Sequence, residues 1–262
     1  MKVELTHLSF YRFYPIVDPI VLRMQLKSLC AQLELMGTIL IAPEGINVGL
    51  SGSRNSIEGF KTYANQNLGI EITSFKEAEI SEHSYKRMLV KIKKEIITLG
   101  IPEIRPDQET GKRLSPADLK QWLDEGRSVI LLDTRNDYET AVGSFIGAHQ
   151  LHLKNFREFA YHAPQLAEKW KDQEVVSFCT GGIRCEKASA LLLQLGLKNI
   201  YQLEGGILRY LEENGSAHFE GNCFVFDWRL AIDQNLKSVI RSENLDEQFG
   251  RHQLKTQNAQ SC

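Results

Sequence analysis

Val175-Val176-Ser177-Phe178-Cys179-Thr180-Gly181-Gly182-Ile183-Arg184-Cys185 decides how this chain folds. Its first four residues are a short apolar run of the kind buried as a strand in a parallel sheet. The glycine pair turns the chain, and Glu186-Lys187-Ala188-Ser189-Ala190-Leu191-Leu192-Leu193 continues as a helix. Open α/β sheets bind ligands beyond the C-terminal ends of their strands, which is where Cys179 stands. The N–H groups of Thr180, Gly181, Gly182 and Ile183 can turn inward as an anion nest, and the helix start adds positive potential. Arg184 adds a full charge. Such settings bring a cysteine to about 3.5–7.5 from the roughly 8.5 of a free thiol. Cys179 is therefore the candidate nucleophile, ahead of a small buried hydrophobe at a strand end. Arg184 is expected to orient an anion or lower the Cys179 pKa, ahead of serving as an ion-paired or surface arginine. Cys185 is either a resolving partner for an oxidised Cys179 or a packing residue.

Around this stretch the second half of the chain alternates strands and helices. Ser115 caps a helix that begins at Pro116, with Asp118 three residues on. Val129-Ile130-Leu131-Leu132-Asp133 and Asn199-Ile200-Tyr201-Gln202-Leu203 are further strands, and Gly205-Gly206 turns into a helix over Ile207 to Glu213. This alternation implies an α/β unit with a parallel sheet. Asp133 and Arg135 stand at a strand's C-terminal end and read as an ion pair bracing the Cys179 loop. Glu139, four residues after Arg135, is placed to pair with it. Asn155 to Phe159 is either a substrate wall or a packed amphipathic turn.

The first half differs. Leu8 to Tyr14 is strand-like. Asp18 caps a helix from Pro19, with apolar residues recurring to Met36, and Gly37 ends it. Thr38 to Ala42 and Ile46 to Gly52 form a hairpin around Pro43-Glu44-Gly45, and Ser53 or Asn55 caps a helix through Tyr63. Ile70 to Phe75 alternates as a strand, and Met88 to Lys93 supplies one more. The order β-α-β-β-α-β is the ferredoxin-like split βαβ, an α+β domain.

The chain has 262 residues, 24% charged and 42% hydrophobic, which suits one large or two modest globular domains. No apolar run approaches the roughly 18 residues of a membrane span, and the N-terminus lacks the apolar core of a signal peptide. The expected location is cytoplasmic, with no membrane partner. Five scattered cysteines argue against a disulfide framework, and no Cys or His spacing suits a structural metal. No cofactor fingerprint is identifiable. Net charge is −2, so any nucleic-acid surface must be local. Residues 86–113 carry eight basic against four acidic residues, a local excess of +4. Lys86, Arg87, Lys91 and Lys93 in this segment are candidate contacts, as is Arg12 among the aromatics Tyr11, Phe13 and Tyr14. The alternative for each is an ordinary solvated strand face.

Leu131 to Arg135 with Glu139, Gly143 to Ala148, the Cys179 loop and Leu203 to Gly206 together resemble a rhodanese-like domain. In that family the loop cysteine is the reactive residue. Four residues separate Cys179 from Arg184; cysteine phosphatases on this fold use a longer loop, so a smaller reacting group is implied. The likeness extends through Ala42 to Asn47, Asp133 to Glu139, Asn155 to Phe159, Cys179 to Lys187 and Gly221 to Asp227. Over these segments the chain resembles the rhodanese-domain tRNA uridine hydroxylases. That resemblance implies oxygen-dependent 5-hydroxylation of the wobble uridine, with tRNA, through its anticodon loop, as partner and molecular oxygen as co-substrate. Longer members carry a cysteine-rich tail, whereas this chain has a polar tail with only Cys262. The expected division is a ferredoxin-like domain over 1–98, a linker over 99–112, a rhodanese-like domain over 113–218 and an extension over 219–262 with a mobile tail. The alternatives are a sulfurtransferase forming a persulfide on Cys179 and a non-catalytic rhodanese-like binding module.

Overall fold

A computed structural model describes residues 5–68, 75–226 and 231–240. The first unit contains β1 (Leu5–Phe13), α1 (Pro19–Gln32), β2 (Met36–Ala42), β3 (Gly45–Ser53), α2 (Arg54–Asn67), β4 (Lys76–Ile80) and β5 (Met88–Ile92). Its sheet runs β4-β1-β3-β2-β5, the ferredoxin-like order with β5 added parallel to the edge strand β2. Alternation sends Phe10, Val48, Ile39 and Val90, which lie opposite one another, into one core with the helices. The other row, Tyr11, Asn47, Leu40 and Lys91, shares the face turned away from that core.

Two sequence expectations shift here. The first helix ends at Gln32, not at Gly37. Glu34 adopts a left-handed conformation, φ 51°, and the Leu35 amide returns to the Cys30 carbonyl, which closes the helix early. Gly37 instead lies inside β2, where a Cβ would come within 2.1 Å of the Gly49 carbonyl oxygen. Ile20 and Met24 of the apolar series are exposed, and Leu22, Leu26 and Cys30 form the buried stripe. Of the expected strand Ile70 to Phe75, only Phe75 lies within the described residues; β4 begins just after it.

The second unit begins with β6 (Lys112–Leu114), α3 (Pro116–Asp124), β7 (Ile130–Asp133), the short α4 (Asp137–Thr140), β8 (Gly143–Phe145) and β9 (His149–Gln150). After a 3-10 turn over Phe156–Glu158 come α5 (Phe159–Lys169), β10 (Val175–Phe178), α6 (Ile183–Gln194), β11 (Ile200–Leu203) and α7 (Gly206–Asn214). All neighbours in the sheet β6-β11-β10-β7-β9 are parallel. One core packs Phe159, Leu166 and Leu192 of α5 and α6, and another packs Leu119, Ile207 and Leu211 of α3 and α7. Ser115 caps α3 by accepting from the Asp118 amide at 3.0 Å.

The segment after β5 is irregular but packed, with Leu99 and Ile104 in the α5–α6 core. The extension is also integrated. β12 (Phe219–Gly221) pairs with β8, and β13 (Cys223–Phe224), β14 (Ala231–Ile232) and β15 (Ser238–Ile240) form a small antiparallel sheet. The expected mobile tail beyond residue 240 lies outside the described residues. Among the described residues, no helix is long and apolar enough to cross a membrane.

Candidate active site

β10 ends the buried run at Phe178 and delivers Cys179 to the C-terminal edge of the central strand. The loop is held from below by α7. The amides of Ile207 and Leu208 donate to the carbonyls of Cys179 and Thr180 at 3.0 and 3.1 Å. Gly206 is required for this contact: φ is +66°, and a Cβ would lie 2.4 Å from the Cys179 carbonyl oxygen. Gly182, at φ +99°, starts α6 and donates its amide to Cys179 Sγ at 3.1 Å.

Cys179 is 1% exposed. Burial pushes its thiol up, but the Cys185 thiol, the Arg184 charge and the amides of Arg184 and Gly182 together hold it well below the usual value. Cys185 moves the opposite way. Burial and the adjacent Cys179 sulfur push it well up, so of the two it is Cys185 that stays a thiol, with its S–H as hydrogen-bond donor to the Cys179 sulfur. Its sulfur also lies 3.8 Å from Thr134 Oγ1. The two sulfurs are thus neighbours and both are free thiols in this structure. Cys30 and Cys223 are pushed up to about 12 by burial.

Of the two roles expected for Arg184, lowering the Cys179 pKa fits its charge beside the sulfur, and orienting an anion does not fit its contacts. Its guanidinium forks onto the buried Glu139 carboxylate at 2.5 and 2.6 Å, so both terminal nitrogens are engaged and the side chain is not an open anion ligand. Its charge still acts on Cys179. Glu139 correspondingly does not pair its carboxylate with Arg135. It accepts from Arg184, from Thr180 Oγ1 at 3.2 Å and from the Asn136 amide at 3.1 Å, and so braces the Cys179 loop. Arg135 takes Asp133 instead, at 2.7 and 2.9 Å with both side chains fully buried, and donates to the Gly143 carbonyl at 2.6 Å. The Asp133–Arg135 pair therefore fastens β8 to the sheet end.

Residues of the first unit also reach the loop. Tyr11 donates to Glu186 Oε1 at 3.4 Å, and its hydroxyl lies 3.0 Å from where a Gly182 Cβ would stand. Lys76 Nζ donates to the Gly181 carbonyl at 3.1 Å and to the Gly205 carbonyl. Lys187, fully buried in α6, crosses the other way to Glu44 at 2.7 Å and Glu95 at 2.6 Å. The extension covers a further side: the Thr180 hydroxyl shares its one proton between Glu139 and the Phe224 carbonyl, 3.3 Å away, and the Phe226 ring stands 5.7 Å from the Arg184 guanidinium.

Lys76 is the residue that sequence reasoning misses. Its signal is the alternation Lys76-Glu77-Ala78-Glu79-Ile80, in which both glutamates are exposed and the lysine shares the inward face. The basic candidates do not converge on Cys179. Lys86 and Arg87 are exposed. Lys91 and Lys93 line a shallow depression with Arg23, Val90 and Ile92 on the edge strand β5. Arg12 sits on β1 opposite Ile46, next to Tyr11. Among the described residues, no cluster of three or more His, Cys, Asp or Glu is arranged to hold a metal ion.

Two family models match the chain, the UPF0176 acylphosphatase like domain over residues 5–96 and the rhodanese-like domain over residues 115–213. A tRNA uridine(34) hydroxylase of Cupriavidus pinatubonensis is 45% identical over 240 residues, covering 90% of this chain and 85% of the relative. The protein belongs to the tRNA uridine(34) hydroxylase family. A second relative of that name, from Thiobacillus denitrificans, is 43% identical over 242 residues and is covered over 98% of its length. A solved rhodanese-related protein from Thermoplasma volcanium is similar over 39% of this chain and 93% of its own, at 29% identity and a TM-score of 0.31. In this member of the family, the segments around Glu44 and around Lys187 meet as one ion-pair group between the two units.

Proposed function

We propose that this protein is an oxidoreductase that hydroxylates the wobble uridine of tRNA at C5, with Cys179 as the reactive residue. The observation that carries the activity is the 45% identity to a tRNA uridine(34) hydroxylase across 90% of the chain. Support for Cys179 comes from its depressed pKa at the end of β10. Uridine C6 is conjugated to the C4 carbonyl and accepts a thiolate. Addition there moves the C5–C6 π electrons toward C5 and O4 and makes C5 nucleophilic toward an oxidant; once C5 carries oxygen, loss of its proton expels the Cys179 thiolate from C6 and restores the double bond. Molecular oxygen is the co-substrate: one atom goes to C5 and the other to water, with an external reductant supplying the electron pair. Because Cys179 is 1% exposed, a flipped-out or unpaired base reaches it by displacing part of the cover over the loop. A tRNA substrate and a reduced cysteine both suit a cytoplasmic location.

Mass spectrometry of tRNA from cells with and without the protein tests this function. Loss of a 5-oxygenated wobble uridine is the expected result. Loss of a thiolated base would replace hydroxylation by sulfur transfer, and an unchanged tRNA would leave a binding module.

The anticodon arm is proposed to run along β5. Lys91 lies in one cross-strand row with Tyr11, three strands away, and strand spacing puts it about 14 Å to the side on the same sheet face. Lys91→Glu combined with Lys93→Glu is expected to weaken tRNA binding and to lower the salt slope by about 0.7–0.9 for each phosphate left without its lysine. Filter binding over a salt series measures both. An unchanged affinity and slope would move the tRNA to another face.

A further inference from the structure

The cations around Cys179 are nearly all matched by carboxylates. Arg184 has Glu139, Arg135 has Asp133, and Lys187 has Glu44 and Glu95. Arg209 has Glu204 and Glu213 at 2.7 and 2.6 Å, and Arg113 has Glu186 at 3.3 Å. Lys76 is the exception. It has no carboxylate partner within ion-pair distance among the described residues. Part of its stem is exposed, but its ammonium is enclosed and is held by the carbonyls of Gly181 and Gly205. One of these carbonyls belongs to the Cys179 loop and the other to the turn that carries α7.

An enclosed ammonium without a counter-ion is unfavourable. The groups that face Lys76 are the sulfurs of Cys179 and Cys223, with Glu212 and Arg209 of α7. Cys223 is a neutral thiol, because burial pushes it to about 12. Glu212 is exposed and makes no ion pair with Lys76, so the buried anion left for Lys76 is the Cys179 thiolate. Cys179 in turn faces Cys185 and Arg184 of α6, Tyr11 of β1 and Lys76 of β4. Arg184 also acts on the sulfur, but its charge is shared with the Glu139 carboxylate onto which it forks, so Lys76 is the cation at the loop that has no carboxylate of its own.

We propose that Lys76, supplied by the acylphosphatase-like unit, is a positioning residue whose uncompensated positive charge holds the Cys179 thiolate. This rests on Cys179 being the reactive residue. It also gives the first unit a part in the chemistry beyond holding tRNA. Burial lowers Lys76 itself to about 8, against the pull of the two sulfurs. Its charge is therefore present at neutral pH and is lost soon above it.

The test is the ultraviolet absorbance of the thiolate, titrated on the intact protein and corrected with the matching Cys179→Ser protein. Burial pushes Cys30 and Cys223 up to about 12 and Cys185 is raised; subtraction of the Cys179→Ser curve also removes Cys262, so the corrected step belongs to Cys179. Lys76→Met and Lys76→Gln should each raise the midpoint by about 1–2 units, and Lys76→Arg should restore most of the shift. A purely structural lysine would change the melting temperature and leave the Cys179 midpoint in place. If Lys76→Met does not fold, Lys76→Gln, which keeps hydrogen-bond donors, decides alone. Midpoints equal to wild type in the neutral variants would overturn the proposal. The tRNA assay of Cys179→Ser is separate: full activity there removes the reactive cysteine without altering what the titration says of Lys76.

Discussion

Cys179→Ser removes the 5-oxygenated wobble uridine from cellular tRNA, an expected loss of at least about 10³-fold. The variant exchanges one small buried atom for another, and a serine Oγ can still accept from the Gly182 amide. The loop therefore stays in place, held by the Ile207 and Leu208 amides, and the melting temperature stays within a few degrees of wild type. The hydroxyl's far higher pKa denies the site its anion, which neither Lys76 nor Arg184 can restore. Rescue of a deletion strain by the variant, read by mass spectrometry of tRNA, is the measurement. Full rescue would discard Cys179 as the reactive centre.

Glu139→Gln has the largest expected effect on stability. The substitution leaves Arg184 charged, 4% exposed and without its partner, a change that costs about 3–5 kcal/mol in buried pairs. In a chain of this length that corresponds to a fall in melting temperature on the order of 10 °C. The pH dependence has a definite sign. Burial pushes the Glu139 carboxyl up, but Arg184, then Arg135 and the Asn136 amide, hold it below its ordinary value. A carboxyl lowered on folding contributes stability that is complete above its unfolded value of about 4.3 and is lost as pH falls through the folded one. The gap between wild type and variant should therefore be constant near neutrality and close in acid below about pH 4.3. Melting curves of both proteins across that range decide the matter. A gap that persists unchanged in acid would show that the ion pair is not its source.

Much of the fold is legible in local patterns. The apolar run before Cys179, the glycine turn after it and the caps at Asp18 and Ser115 are properties of a few adjacent residues, and each marks an element where it occurs. The end of α1 is not legible, because a non-glycine residue, Glu34, takes the left-handed turn while Gly37 serves a close strand contact. The site is legible as far as its own loop. Cys179 and the glycines announce themselves. The partner of Arg184 does not, because Glu139 is 45 residues away and a nearer arginine, Arg135, stands at helical spacing from it. Lys76 and Tyr11 are harder still: their roles come from docking one unit on the other, and no periodicity in either strand encodes which loop lies across the gap.

The Lys187 bridge bears on how such a chain can be cut or recombined. With Glu44 and Glu95 on one side and α6 on the other, the seam between the units contains a lysine that is 0% exposed and needs both carboxylates. A rhodanese-like half expressed alone would carry that lysine bare, and its loop would also lose Lys76. The two halves are thus poor candidates for shuffling as independent modules. A chimera that exchanges the second half has to carry its own Glu44 and Glu95 counterparts with it, so the unit that evolution or an engineer can transplant is the whole two-part body.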